Sequence, residues 1–131
     1  MSFDIECAGR KGIFPEAEVD PVIQIANILT VQGKLNAQLF SNHHSLGNTK
    51  PTTKNVFTLD TCGGIVGAHI HSFQKEEELL QKWSDFVVQS DPDIIIGYNI
   101  NGFDFPYLLD RAKALKISKF PYLGRIASIL F

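Results

Sequence analysis

The run Pro92-Asp93-Ile94-Ile95-Ile96-Gly97-Tyr98-Asn99 constrains the fold more than any other part of this chain. Three consecutive β-branched isoleucines, entered from a proline turn and left through a polar loop, read as a short strand that is apolar on both faces. Such a strand belongs in a parallel or mixed sheet with helices packed over it. After the loop Asn99-Ile100-Asn101-Gly102, Phe103-Asp104 leads into a helical pattern with Pro106 in its first turn. Asp104 stands where an N-cap is expected, its carboxylate able to accept backbone N–H groups. It also stands past the carboxyl end of a central strand, where open α/β sheets place their ligands.

The rest of the chain supplies partners for that unit. Met1 to about Cys7 and Pro21 to Val31 read as strands. Val56-Phe57-Thr58-Leu59 and about Gly64 to Phe73 read as two more, so the opening half is largely an antiparallel meander. Glu76 to Gln89 is an amphipathic helix with Leu79, Leu80, Trp83, Phe86 and Val87 on one stripe and acids in its first turn, stopped by Ser90-Asp91-Pro92. In the helix after Asp104, the residues Leu108, Leu109, Ala112 and Leu115 face the sheet. This order suits a mixed sheet in which the first strand lies beside the fourth or fifth, which would bring Asp104 towards the chain's opening residues. Phe40 to Asn55 is polar and reads as a mobile hairpin insertion, within a departure spanning about residues 35–55.

The opening strand carries Asp4 and Glu6 one residue apart in Phe3-Asp4-Ile5-Glu6-Cys7. Side chains at i and i+2 leave the same face of a strand, so the two carboxylates project together while Phe3 and Ile5 suit a core. At about 4 Å such a pair repels by roughly 4 kcal/mol with an effective dielectric of about 20. A divalent cation turns that repulsion into attraction. Alone, an Asp-x-Glu pair is more often a solvated strand face. With Asp104 it becomes a three-carboxylate candidate for metal binding and catalysis.

Composition sets the bounds. A chain of 131 residues, 44% hydrophobic and 20% charged, suits one globular domain that buries about two-thirds of its unfolded surface. A net charge of −2 leaves no basic footprint for autonomous duplex binding. Two cysteines, Cys7 and Cys62, are too few for a closed zinc site or a disulfide scaffold. His43-His44 and the pair His69 and His71 read as surface or satisfied histidines. Gly63-Gly64 lacks the ending of a phosphate-binding loop. No charged-then-apolar leader and no apolar run of membrane-spanning length is present, so no membrane partner is expected.

Taken together, Phe3-Asp4-Ile5-Glu6-Cys7-Ala8-Gly9-Arg10, Gly12-Ile13-Phe14-Pro15-Glu16 and Asp20-Pro21-Val22-Ile23-Gln24-Ile25-Ala26-Asn27 resemble the first exonuclease motif of the delta-type family B DNA polymerases of eukaryotes. Asp91 to Asn99, with Phe103-Asp104 and Pro106-Tyr107-Leu108-Leu109, is similar to that family's second motif. Arg111-Ala112-Lys113-Ala114-Leu115 and Phe120-Pro121-Tyr122-Leu123-Gly124-Arg125 extend the likeness, which leaves out roughly residues 34–54.

The resemblance implies an α/β, ribonuclease H-like exonuclease fold, a mixed β-sheet flanked by helices. It implies proofreading 3′→5′ hydrolysis of a primer's terminal phosphodiester with two Mg²⁺ ions, for which Mn²⁺ can substitute. Carried over by position, Asp4 binds both ions, Glu6 holds one and orients the attacking water, and Asp104 serves the second. Phe103 and Asn99 are the expected substrate-binding residues, with Tyr98 expected in the core of the sheet–helix junction. The implied partners are the single-stranded primer 3′ end, the remaining polymerase domains, accessory subunits and a sliding clamp, and the implied location is the nucleus. Gly102 departs from the family's usual Asn. The family's third acidic motif has no counterpart in residues 1–131, so a partial, C-terminally incomplete exonuclease domain is expected. Two dications carry four positive charges against three carboxylates, and the chain alone is expected to be weak or inactive. The alternative is a non-catalytic polymerase product that only binds nucleic acid or partners.

Overall fold

Strict alternation in Ser2–Cys7 sets the architecture: Phe3 and Ile5 are buried, whereas Asp4 and Glu6 are exposed on the opposite face. In the computed structural model, which describes residues 1–31, 52–120 and 122–125, this segment is strand β1. It is followed by β2 (Val22–Thr30), β3 (Thr52–Leu59), β4 (His69–Phe73), helix α1 (Glu76–Ser90) and helix α2 (Asp104–Ala114). The four strands form one sheet in the order β1-β2-β3-β4. β1 runs antiparallel to β2 with Ile5 opposite Ile25, and β2 runs antiparallel to β3 with Ile25 opposite Phe57. β4 lies parallel to β3, from Asn55 opposite His69 to Leu59 opposite Phe73. The expected mixed α/β architecture is therefore present.

Both helices contribute to a single core on one face of this sheet. Phe3, Ile5, Val22, Ile25 and Phe57 meet Leu79, Leu80, Trp83 and Val87 of α1 and Leu108 and Ala112 of α2. Burying each large side chain stabilises the fold by about 1.5–3 kcal/mol. The Phe3 ring sits 5.1 Å from Trp83 and 5.0 Å from Phe105, pinning β1 between the two helices. The Trp83 indole N–H donates to Asn27 Oδ1 at 2.8 Å, which satisfies its polar tip inside the core. The amphipathic stripe in the sequence thus marks the inner face of α1, with Phe86 only half-buried.

Four sequence expectations need correction. The stretch from Gly64 pairs only from His69, because Gly63 to Ile65 have no regular structure and a turn at Val66-Gly67, left-handed at Gly67 (φ 78°), precedes the strand. The run at Ile94–Ile96 is no two-face-buried strand: it makes one parallel bridge, Ser2 to Ile96, at the outer edge of β1. Left-handed residues at Asp91 and Asn99 bracket it and keep the extended stretch short. Among the described residues the helices cover only one face of the sheet, so Ile94 and Ile96 are 70% and 59% exposed and Tyr98 is 93% exposed, not core. Periodicity shows which faces are apolar but not which acquire cover. Finally, β3 begins at Thr52, so residues 52–55 are strand; the rest of the expected insertion, with His43 and His44, lies outside the described residues.

Candidate active site

The edge of β1 that faces away from β2 receives Asp104. The amides of Phe3 and Ile5 are two residues apart and leave the strand on the same side. Phe3 N–H donates to the Ile96 carbonyl at 3.3 Å. Two residues on, where that pairing has ended, Ile5 N–H donates to Asp104 Oδ1 at 3.2 Å. Asp104 thus takes over the role of a neighbouring strand for one amide. It is not an N-cap: Phe103 occupies that position without a side-chain bond, and Asp104 is the first helical residue.

Asp104 is 2% exposed and its carboxyl titrates above the usual range. Burial is the main cause and the negative charge of Asp4 adds to it, while the Ile5 amide and its own backbone amide favour ionisation. Asp4 and Asp104 therefore feel each other, although they are distant in sequence. Among the described residues, no group of three or more His, Cys, Asp or Glu side chains is gathered tightly enough to form a metal cage. Carboxylate oxygens are the donors a hard cation takes; Asp4 and Glu6 are exposed on one face of β1, and the charge of Asp4 acts on Asp104. Mg²⁺ is commonly held by one or two carboxylates with water and substrate phosphate completing its shell.

The loop between β1 and β2 is fixed by charge. Arg10 donates to Asp20 through Nε at 3.1 Å and to Glu16 through Nη2 at 2.7 Å. The Asp20 carboxyl lies below its usual range chiefly because it accepts the Glu16 amide at 2.9 Å. From α2, the Tyr107 hydroxyl donates to the Asp20 carbonyl at 2.8 Å. Burial raises the Tyr107 hydroxyl, and it likewise pushes the neighbouring Cys7 thiol up to about 11. Cys7 is half-buried and has no disulfide partner.

The clamped loop carries Phe14, which the sequence reading had not assigned a role. Its ring is 74% exposed and meets Phe103 edge-on at 5.4 Å; Phe103 in turn lies 5.4 Å from Tyr107. The adjacent large apolar residues Ile13 and Phe14, in a loop that also carries several charged residues, were the available signal. Asn99 is exposed and builds the loop before α2: in a left-handed conformation (φ 52°), it accepts the Gly102 and Phe103 amides at 2.9 Å each. Its side chain lies where a Cβ on residue 102 would stand, so a larger residue there requires the exposed Asn99 side chain to turn away. His71 packs on Phe57 at 4.9 Å, and His69 and His71 are both exposed. A separate cavity of about 710 Å³ is lined in part by Val87, Ile95, Ile100, Phe105 and Leu123. None of the three carboxylates lies on its wall.

Comparison with known proteins supplies the family. Residues 1–131 match the model of the DNA polymerase family B exonuclease domain. The chain is 54% identical over 126 residues to the DNA polymerase delta catalytic subunit of Schizosaccharomyces pombe, covering 96% of this chain and 10% of that protein. Against the same subunit of Drosophila melanogaster it is 54% identical over 129 residues, again 10% of the relative's length. The family B DNA polymerase structure from Pyrobaculum calidifontis superposes with a TM-score of 0.59 at 28% identity, over 98% of this chain and 12% of that one. The chain thus spans about a tenth of the relatives it matches. No helix among the described residues is long and apolar enough to cross a membrane.

Proposed function

The chain belongs to the family B DNA polymerases, as an exonuclease domain of the delta type, and from that premise we propose that Asp4, Glu6 and Asp104 serve metal-dependent 3′→5′ hydrolysis of a primer's terminal phosphodiester. The observation that carries this reading is the Ile5–Asp104 hydrogen bond, which joins residues 99 positions apart at the strand bearing Asp4 and Glu6. Bound Mg²⁺, or Mn²⁺ in its place, would lower the pKa of the attacking water and neutralise the charge of the leaving oxygen. Asp4 and Glu6 face solvent together and are the groups that hold the ions, with Glu6 also orienting the water. Asp104 is held at the strand edge by the Ile5 amide and serves the second ion.

Phe103 and the exposed Phe14 offer an aromatic surface for an unpaired base beside the carboxylates. Asn99 contributes by shaping the loop that delivers Phe103 and Asp104. A chain of net charge −2 has little electrostatic hold on DNA by itself. The primer end is accordingly delivered by the other domains of a polymerase, acting with accessory subunits and a sliding clamp in the nucleus. Three carboxylates against two dications leave the chain alone weak or inactive.

Two assays of a 5′-labelled single strand with Mg²⁺ test this: one with the chain alone, one with the chain grafted in place of its counterpart in a delta-type polymerase. Stepwise 3′→5′ shortening by the graft, lost in Asp4→Ala/Glu6→Ala, is expected, with little or none by the chain alone. Shortening that survives the double substitution would overturn the proposal.

A further inference from the structure

Three polar side chains on α2 share one buried face. Asp104, Tyr107 and Arg111 stand at i, i+3 and i+7, so with 3.6 residues per turn they project in one stripe, together with the fully buried Leu108. Each is tied to a different part of the molecule. Asp104 accepts the Ile5 amide of β1, and Tyr107 donates to the Asp20 carbonyl. Arg111 donates through Nη1 to the Ala17 carbonyl at 3.1 Å. Its Nε and Nη2 form a two-pronged fork on Glu76, the first residue of α1, at 2.9 and 2.7 Å. Glu76 Oε1 also accepts the Val22 amide of β2 at 2.7 Å. One buried carboxylate thereby joins α1, β2 and α2.

The apolar contacts around this stripe are non-directional and tolerate small rotations of the helix. A bidentate guanidinium–carboxylate fork fixes direction as well as distance. Arg111 lies about 10.5 Å along the axis from Asp104, at 1.5 Å per residue, so it acts on the carboxylate site only through the helix. We propose that Arg111, forked on Glu76, is a positioning residue: it sets the rotation of α2 and so holds Asp104 on the Ile5 amide, beside Asp4 and Glu6. This rests on reading those three carboxylates as the active site.

The test compares two amides on the same edge of β1 in the ¹⁵N-labelled chain. Phe3 N–H is held by Ile96, outside α2, while Ile5 N–H is held by Asp104. Glu76→Gln/Arg111→Met removes the fork without stranding a buried charge, and Arg111→Lys keeps the charge but loses the fork. In either variant, hydrogen exchange at Ile5 is expected to accelerate at least tenfold with Phe3 unchanged, and Mn²⁺ affinity to fall at least fivefold. No change at Ile5, or equal acceleration at Ile5 and Phe3, overturns the proposal, the latter by revealing a merely structural role. If the double variant does not fold, Arg111→Lys carries the same decision. A wild-type chain whose Mn²⁺ binding is absent or indifferent to Asp4→Asn refutes the active-site reading instead, while the exchange comparison, which needs no cation, still decides whether Arg111 holds Asp104.

Discussion

Gly97 is where a single methyl group separates a correct account of the strand edge from an incorrect one. Its backbone φ is not in the left-handed region, so alanine is not excluded by conformation. Space excludes it. A Cβ at residue 97 would stand 2.9 Å from the Phe3 carbonyl oxygen and collide with Ile100 Cγ2. Ile100 is 7% exposed and has little room to turn away. The accommodating movement is therefore to lift residues 96–100 off β1, overpacking the core by about 1–3 kcal/mol. It also weakens the 3.3 Å bond from Phe3 N–H to Ile96, worth about 0.5–1.5 kcal/mol. The sum, about 1.5–4.5 kcal/mol, corresponds to a Tm lower by roughly 10 °C for a domain of this size. Urea unfolding followed by fluorescence of Trp83, the chain's one tryptophan and fully buried, reads it directly. Gly97→Ala/Ile100→Ala should cost less than the sum of the two single substitutions, because removing Cγ2 relieves part of the clash. Gly97→Ala within about 0.5 kcal/mol of wild type, the range of an uneventful surface change, would refute the packing of this segment against β1.

Other outcomes follow from the buried charges. Arg111→Met alone strands the Glu76 carboxylate and should cost about 3–5 kcal/mol in chemical denaturation, most of it recovered in Glu76→Gln/Arg111→Met; equal losses in the two would argue against a buried pair. Asp104→Asn should stabilise the cation-free chain at pH 7 while abolishing cation-dependent function. The sign follows from a folded-state pKa above the unfolded one: Asp104 favours folding fully at pH below the ordinary carboxylate range and loses that contribution as pH rises through its folded value. The gain from Asn must shrink to nothing on acidification, and a gain that grows instead would contradict the burial of Asp104. Cys7, with its thiol near 11, should carry about one thiolate in a thousand at pH 8. In a Cys62→Ser chain, iodoacetamide labelling should be slow and rise about tenfold per pH unit to about pH 11; a plateau near pH 8 would refute its burial.

Much of this structure was legible in the residues. Alternation at Phe3–Cys7 gave both faces of β1, and the Leu79–Val87 stripe gave the inner face of α1, because one-sided burial writes its period into the sequence. The Ile94–Ile96 run misled because an apolar segment does not say whether its second face is covered. Asp104 was legible as a candidate, yet its local pattern pointed to helix capping. Its real partner, the Ile5 amide, is a consequence of strand adjacency that no local pattern encodes. The Glu76–Arg111 fork was hidden for the same reason: an acid in a first helical turn and a base near a helix end each have an ordinary dipole role. Phe14 showed only as one of several apolar residues in a loop, and its neighbour Phe103 comes from the other half of the chain.

The central claim is that Asp4, Glu6 and Asp104 serve one two-ion site, with Asp4 shared between the ions that Glu6 and Asp104 each hold. Titrating Mn²⁺ into the ¹⁵N-labelled chain and following paramagnetic broadening of each amide tests it most directly. The account predicts that the amides of Asp4, Ile5, Glu6 and Asp104 broaden first and together, and that Asp4→Asn suppresses the effect at Asp104 as well. Broadening centred elsewhere, for example at Asp91 and Asp93, or broadening at Asp4 that leaves Asp104 sharp, would contradict it.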